Sequence, residues 1–407
     1  MLAGPEESAL AFPLPPQTAL RLRDIARMHL MFGGDLMRAL RSDEAEPYLR
    51  AALAIDPQLT PALGLLGRAL LDGHRLDEAL HVLRAAVRQE PGNPFHRGTL
   101  GSALLLGGRY RDGWAEWATT RALSPQLGPS EREWNGRDAL AGRTLLVICC
   151  DGFGDAFQFA RFLPRLAERG ARLVVACQAV AMPVLRRVPG VAGVVDRDGP
   201  RPAHDLWTED KILPLRLGIE VATIPLAEGY LTADPARVEH WRRRLPAGRR
   251  VGLVWGGDPK NDQDAARSLP PGQVAALLAP VLAVPGLAMV SVQHGERRAE
   301  VGTLRGVVDI APDLTDFGET AAALACMDVV IGVETAVTHL AGAMGVPTWV
   351  MLSRRPDWRW MLTGDTSPWY ASARLWRQPA LGDWASVTAA VGAALARVQE
   401  QARQLAL

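Results

Sequence analysis

The stretch Val329-Val330-Ile331-Gly332-Val333-Glu334-Thr335-Ala336-Val337-Thr338-His339-Leu340-Ala341-Gly342-Ala343-Met344-Gly345-Val346-Pro347 decides the fold of the C-terminal part of this chain. Its β-branched apolar run predicts a buried strand, followed by a tight turn and a helix that opens with hydroxyls. Thr335 and Thr338 fall in the first helical turn, where free N–H groups and the positive end of the helix dipole attract an anion such as a diphosphate. The small residues Ala336, Ala341, Gly342 and Ala343 let the helix lie close to a sheet. Gly345-Val346-Pro347 then stops it before a second apolar run, Thr348 to Leu352.

Outward from this unit the same alternation of strand and helix continues from about residue 143. Thr144 to Cys150, Leu173 to Cys177, Val251 to Trp255 and Leu287 to Val292 join the two runs above as expected strands of parallel sheets covered by helices. A less regular region around residues 196 to 246 separates two groups of strands. The expectation is two Rossmann-like lobes facing each other across a cleft, over residues 143–235 and 236–383, with a helix over 384–407.

Upstream the pattern is one of helix pairs. Asp56-Pro57, Glu90-Pro91 and Ser124-Pro125 recur at a spacing of 34 residues, and Leu66/Leu100, Gly67/Gly101, Ala69/Ala103, Gly73/Gly107 and Arg75/Arg109 match at the same offset. That is the tetratricopeptide period. A degenerate earlier copy, with Asp43-Glu44-Ala45 against Asp77-Glu78-Ala79 and Ala51-Ala52 against Ala85-Ala86, makes about three units across residues 17–125. Each pair cannot bury its apolar face alone, so neighbours stack and leave a concave surface. The groove suits a protein partner; the alternatives are a brace for the second domain or a contact between two copies of the chain, a homo-oligomer. Residues 1–16, with Pro5, Pro13, Pro15 and Pro16, are expected as an extended lead-in, and 126–142 as a linker. The fold class is therefore α followed by α/β: tetratricopeptide helical repeats, then two Rossmann-like lobes.

A chain of 407 residues has room for two or three domains, and 48% apolar residues supports packed cores. A formal charge of +1 argues against a general nucleic-acid binder, and Arg242-Arg243-Arg244 and Arg249-Arg250 read as a solvated helix end. Cys149, Cys150, Cys177 and Cys326 lack metal-ligand spacing and read as reduced packing residues of a cytosolic protein. The N-terminus has no basic n-region and apolar h-region, and no apolar run approaches the roughly 20 residues of a bilayer span. A cytoplasmic location without a membrane-spanning segment is expected.

Five motifs in order, Gly154-Asp155, Val251-Gly252-Leu253-Val254-Trp255-Gly256-Gly257, Arg267-Ser268-Leu269-Pro270, Thr335-Ala336-Val337-Thr338-His339-Leu340-Ala341-Gly342 and Pro356-Asp357-Trp358-Arg359-Trp360, resemble a known family. It is the bacterial glycosyltransferases related to the heptosyltransferases of lipopolysaccharide assembly (glycosyltransferase family 9-like), in the version fused to tetratricopeptide repeats. The resemblance covers most of the chain. It implies the GT-B arrangement, a last helix that crosses back to the first lobe, and metal-independent, inverting transfer of a sugar from a nucleotide-sugar to a hydroxyl, without a cofactor. In such fusions it implies a protein acceptor such as flagellin or another surface protein, with a lipopolysaccharide-type acceptor as the alternative. A reading of a different class is a catalytically weak scaffold whose lobes serve as a binding module.

The turn Asp151-Gly152-Phe153-Gly154-Asp155 permits a sharp strand-to-helix bend at the cleft edge. It is not a dinucleotide fingerprint, because the third glycine is missing and Phe157 stands where a small residue is needed. The resemblance makes Asp155 the general base, a role that needs a carboxylate within hydrogen-bond reach of the attacking oxygen; the other reading is an N-cap aspartate. In the second lobe Trp255 and Gly256 end a strand and open a loop that closes on Arg267-Ser268. Lys260 and Arg267 are the candidate cations for a leaving nucleoside diphosphate, with Ser268 as a neutral donor. The resemblance implies that Glu334, Thr335, Ala336, Thr338, His339 and Gly342 line the donor side, although a lone histidine at a helix start also serves as a structural partner. Gln293 and His294 follow a strand at the ligand edge, where base or ribose contacts are expected. Asp357, Trp358 and Trp360, with Trp369 and Tyr370, form either an aromatic wall for a sugar or loop packing. Three positions depart from the family pattern: Asp151 and Glu334 stand where a glutamate and an aspartate are usual, and Asn261-Asp262-Gln263-Asp264 is acidic where relatives are basic.

Overall fold

The computed structural model describes residues 15–120, 127–225, 229–261, 263–355 and 357–405. Most of the lead-in, Ser124-Pro125, Asp262 and Pro356 lie outside the described residues. The chain divides into two compact units, Met1–Leu100 and Gly101–Leu407. The division falls within the third repeat and not at residues 126–142.

Six helices come first: α1 (Pro16–Arg38), α2 (Ser42–Ile55), α3 (Thr60–Asp72), α4 (Leu76–Gln89), α5 (Pro94–Leu106) and α6 (Tyr110–Thr119). The repeat period is visible in three physical devices. Leu40, His74 and Gly108 occupy the same place in successive turns with φ of 61°, 58° and 76°. The N–H of the next residue, Arg41, Arg75 or Arg109, donates to the carbonyl of Leu36, Leu70 or Leu104, a left-handed helix ending. Those same arginines pair three residues on with Glu44, Glu78 and Asp112. Gly33, Gly67 and Gly101 form the third device, because a Cβ there would lie 2.8, 2.5 and 3.1 Å from the side chains of Leu49, Leu83 and Trp117. A bare face on one helix is thus filled by a large side chain of the next. In the first unit Met37, Ala45, Leu49, Leu66, Ala69, Leu70 and Ala79 form the resulting core.

The second unit contains two parallel sheets. β1 (Thr144–Ile148), β2 (Arg172–Cys177), β3 (Val191–Asp196) and β4 (Leu206–Glu209) form a four-stranded sheet in the order β3-β2-β1-β4. β5 (Arg249–Val254), β6 (Leu287–Ser291), β7 (Val307–Asp309), β8 (Val329–Val333), β9 (Thr348–Leu352) and β10 (Ala373–Arg377) form a six-stranded one in the order β10-β9-β8-β5-β6-β7. Each sheet grows outward in one direction from its first strand and then reverses, so the switch points lie between β1 and β4 and between β5 and β8. Ligands of such sheets bind outside the carboxyl ends of the strands at these points.

The segment around residues 127–142 is not a free linker. Trp134, fully buried, donates its N–H to Trp207 O at 2.8 Å, and the Trp207 indole donates to Pro129 O at 2.9 Å, which straps the segment to the β4 edge. The C-terminal helix Trp384–Leu405 packs on the second sheet's own layer and does not cross back as expected. Trp384, Val387, Val391 and Leu395 share one core with Val274, Leu278 and Val281, because its apolar stripe matches the helix Val274–Leu282. No described helix is long and apolar enough to cross a membrane.

Candidate active site

After β1 the chain turns at Gly152, which caps the helix Phe153–Phe159, so Asp155 sits inside the first turn and is not the N-cap. A Cβ on Gly154 would lie 2.8 Å from His339 Cδ2, so this position admits the helix Ala336–Ala343 of the other lobe. The two switch points therefore meet. Asp155 accepts a hydrogen bond from Arg359 Nη2, while Arg359 Nη1 donates to Asp357 Oδ1 at 2.7 Å and Nε to Gln158 Oε1 at 2.5 Å. Arg359 is only 8% exposed, so the pair is screened little by water. Burial pushes the Asp155 carboxyl up from its ordinary value, with Arg359 opposing and Asp151 and Asp357 adding to the shift.

Behind Asp155 lies an acidic group that the sequence reading missed. Asp210 follows β4, is buried, and accepts the Lys211 N–H at 2.8 Å on Oδ1, with the Cys150 backbone N–H also acting on its carboxylate. Lys211 Nζ pairs with Asp151 Oδ2 at 3.0 Å. Burial, then the charges of Asp155 and Asp151, push the Asp210 carboxyl up to about 7. The unfolded chain gives up that proton near pH 4, so between about pH 4 and 7 the folded state binds the extra proton and stability falls as pH rises. Glu334, whose carboxyl is pushed up to about 7 by burial and then by Asp357, adds a slope of the same sign. Asp210→Asn is expected to be more stable than wild type at pH 8 and to lose that advantage towards pH 4, read from urea midpoints. An unchanged midpoint difference across that range would contradict the assignment.

On the donor side, Thr335 and Thr338 use their hydroxyls to cap their own helix: Thr338 Oγ1 donates to Thr335 O at 2.8 Å and accepts the Thr335 N–H at 3.0 Å. His339 is a structural partner. Its Nδ1 shares a 2.8 Å hydrogen bond with the Tyr370 hydroxyl, its ring stacks on Trp360 at 5.3 Å, and burial lowers its pKa, which keeps it neutral. Gly342 exists for Tyr370, whose Cγ would lie 2.8 Å from a Cβ there. Ala336 opens the helix half-buried.

Other expected donor contacts are redirected inward. Gln293 accepts the Trp255 and Gly256 N–H groups, each at 2.9 Å, and donates to Gly256 O at 2.9 Å and His294 O at 2.8 Å. All four of its bonds are used, so it braces the loop and is not available to a base or ribose. Trp255 is fully buried with its indole on Glu300 at 2.9 Å. Ser268 accepts the Gly257 N–H at 2.9 Å and donates to Asp264 Oδ1 at 2.8 Å, so Asp264 of the acidic loop is a strut. His294 keeps a buried Nε2 without a partner, and burial lowers its pKa. Lys260 is exposed. The positive charges acting on both Glu334 and His339 are those of Arg267 and Arg359, with Arg161 also acting on His339 and Asp357 opposing them at Glu334, so Arg359 stands where Lys260 was expected.

The aromatic residues settle on packing. Trp358 is 4% exposed and lies edge-on to Trp114 at 5.0 Å, while Trp369 donates to the Tyr110 hydroxyl at 2.9 Å. Trp358 offers no open face to a sugar, and the wall expected of it is a joint between α6 and both lobes. Asp357 caps the turn Trp358–Trp360 and holds Arg359.

Residues 36–111 match the family model of the tetratricopeptide repeat. The chain is 31% identical over 327 residues to Protein FlbA of Caulobacter vibrioides, a match that covers 71% of this chain and 52% of that protein. The chain thus spans about half the length of the curated relative it matches. Among solved structures the chain is similar to the E. coli ADP-heptose lps heptosyltransferase II, with TM-score 0.45 and 16% identity over 63% of this chain and 99% of that one. It is also similar to the glycosyl transferase family 9 protein from Veillonella parvula, with TM-score 0.46 and 12% identity over 60% of this chain and 88% of that one.

Proposed function

We propose that the second unit is an inverting, GT-B-type glycosyltransferase, working in the cytoplasm, that moves a sugar from a nucleotide-sugar to a hydroxyl of a protein held by the repeats. The observation that carries this is the meeting of Asp155 with Arg359 and the start of the helix Ala336–Ala343, at the switch points of two parallel sheets. Asp155 takes the proton of the acceptor hydroxyl as that oxygen bonds to the anomeric carbon. The bond from that carbon to the diphosphate oxygen breaks, and the nucleoside diphosphate leaves with the electron pair. Arg267 and Arg359 offset the charge that develops there, so the step has no need of a metal. A single base without a paired nucleophile supports inversion. A bacterial surface protein such as flagellin is the acceptor class that goes with the repeats.

A scaffold is the second reading, favoured by one fact: Asp155 is tied to Arg359 and the threonine hydroxyls are spent on capping. A thermal-shift panel of UDP, GDP, ADP, CDP and dTDP separates the two, because a ligand of the native state raises stability by about 2.7 kcal/mol at one hundred times its Kd. One nucleotide is expected to shift wild type and to fail with Arg267→Gln. If none shifts wild type at millimolar concentration, the transferase reading falls.

A further inference from the structure

Arg359 stands between the candidate base and the candidate phosphate site. Its three donor nitrogens reach Asp155, Asp357 and Gln158, and its guanidinium lies 4.3 Å over the Trp358 ring. The guanidinium favours the charged form of the Asp155 carboxylate and so opposes the rise that burial gives it; withdrawing Arg359 makes Asp155 a stronger proton acceptor. The groups that face Asp155 are Arg359 and Asp357 from the turn before Met361, Asp151 from its own turn, Lys211 and Asp210 from the end of β4, and the neutral His339 across Gly154. Of these, the one cation in direct contact is also the one whose charge reaches Glu334 and His339 at the mouth of the helix Ala336–Ala343.

A second observation points to two arrangements of this contact. Gln158 lies one turn along the helix from Asp155, fully buried, and its Nε2 has no hydrogen-bond partner. A buried amide donor left empty costs free energy, and here it belongs to the same amide whose oxygen holds Arg359 Nε. The guanidinium is planar and rigid, so a change of partner at Nη2 turns the whole group about its side-chain torsions, and a second nitrogen leaves Gln158 or Asp357 together with Nη2.

We propose that Arg359 is a positioning residue that exchanges Asp155 for the diphosphate of a bound nucleotide-sugar, so that the base is released only when the donor is in place. The inference rests on the transferase reading. A diphosphate carries more charge than one carboxylate and accepts a guanidinium in bidentate fashion, which supplies the differential affinity the exchange requires. Release of the base before donor binding would serve no purpose, and the coupling orders the two substrates.

The test is the pH dependence of nucleotide-sugar hydrolysis, with a hexose linked to whichever of UDP, GDP, ADP, CDP and dTDP the thermal panel selects and water as acceptor. The acidic limb of kcat/KM reports the free enzyme and that of kcat the donor complex. In wild type the kcat limb is expected on the order of one pH unit above the kcat/KM limb, as a guanidinium is withdrawn from the carboxylate. Arg359→Gln is expected to narrow the gap and Arg359→Lys to restore part of it, a pattern that a purely structural role does not give. Coincident limbs in wild type, or a gap unchanged in Arg359→Gln, overturn the exchange. Should Arg359→Gln not fold, Arg359→Lys alone decides, since a gap equal to that of wild type with KM also unchanged contradicts it. Absence of both nucleotide binding and hydrolysis brings down the transferase reading itself, and the exchange with it.

Discussion

Asp155→Asn is expected to lower turnover of the nucleotide-sugar by about 10²- to 10⁴-fold, the range a positioned general base supplies. The substitution is close to isosteric. Asparagine keeps an oxygen that accepts the Arg359 Nη2 bond, and Arg359 retains Asp357 Oδ1 at 2.7 Å and Gln158 Oε1 at 2.5 Å, so its charge stays paired. What is lost is the ability to take a proton. A neutral asparagine gives up Arg359 more readily than the carboxylate does, so the thermal shift given by the selected nucleoside diphosphate is expected to be at least that of wild type. The loss belongs in kcat, with KM for the donor no higher than in wild type, the signature of an interaction made in the transition state. Turnover within a factor of about three of wild type would remove Asp155 from the chemistry, since a missing base cannot cost so little.

How far these residues are legible in the sequence follows from how local their causes are. The six strands the sequence predicts are β1, β2, β5, β6, β8 and β9, and each lies inside its sheet. An interior strand of a parallel sheet is buried on both faces and reads as an unbroken apolar run, as in β8, where every residue is buried. The four strands missed, β3, β4, β7 and β10, are the four sheet edges. There Arg374 and Arg377 break the run in β10, and Asp309 ends the three residues of β7. Asp155 and the helix start at Ala336 are readable because a strand end, a turn and a helix cap are neighbours in sequence. Arg359 is not, because its partner Asp155 is 204 residues away. Gln293 misleads for the same reason: its position at a strand end suggests a ligand, whereas its partners are backbone groups 37 and 38 residues back. Asp210 was hidden with its strand, although Leu206-Trp207-Thr208 followed by two acids is a strand ending at a charged edge.

The same distance explains why Trp369 reads as a sugar platform and behaves as a keystone. Its hydrogen bond runs to Tyr110, 259 residues earlier, and it stacks on that ring at 6.0 Å while meeting Phe159, Phe162 and Trp358 edge-on. Arg161 is 3% exposed and its described hydrogen bonds go to Gln158 O, Pro225 O and the Tyr230 hydroxyl. Its charge therefore leans on ring faces, with Tyr230 at 4.6 Å, Trp369 at 5.0 Å and Tyr370 at 5.1 Å. A buried cation held this way is stabilised by cation–π attraction that replaces part of its lost hydration. Trp369→Ala removes the ring, one face of the cage and the Tyr110 partner together. The expected cost is about 3–5 kcal/mol in urea unfolding, a large fraction of the roughly 5–15 kcal/mol that holds an ordinary domain together. Trp369→Phe keeps most of the apolar area and forgoes the indole N–H, so about 1–2 kcal/mol is expected. The gap between the two variants separates ring packing from the hydrogen bond, and a loss below about 1 kcal/mol for the alanine variant would show that the cluster is not what joins the lobes. If the alanine variant does unfold as expected, the consequence reaches the chemistry. The cluster ties the helix Phe153–Phe159, through Phe159 at its end, to the turn that carries Arg359, and so fixes the register in which Asp155 and Arg359 meet.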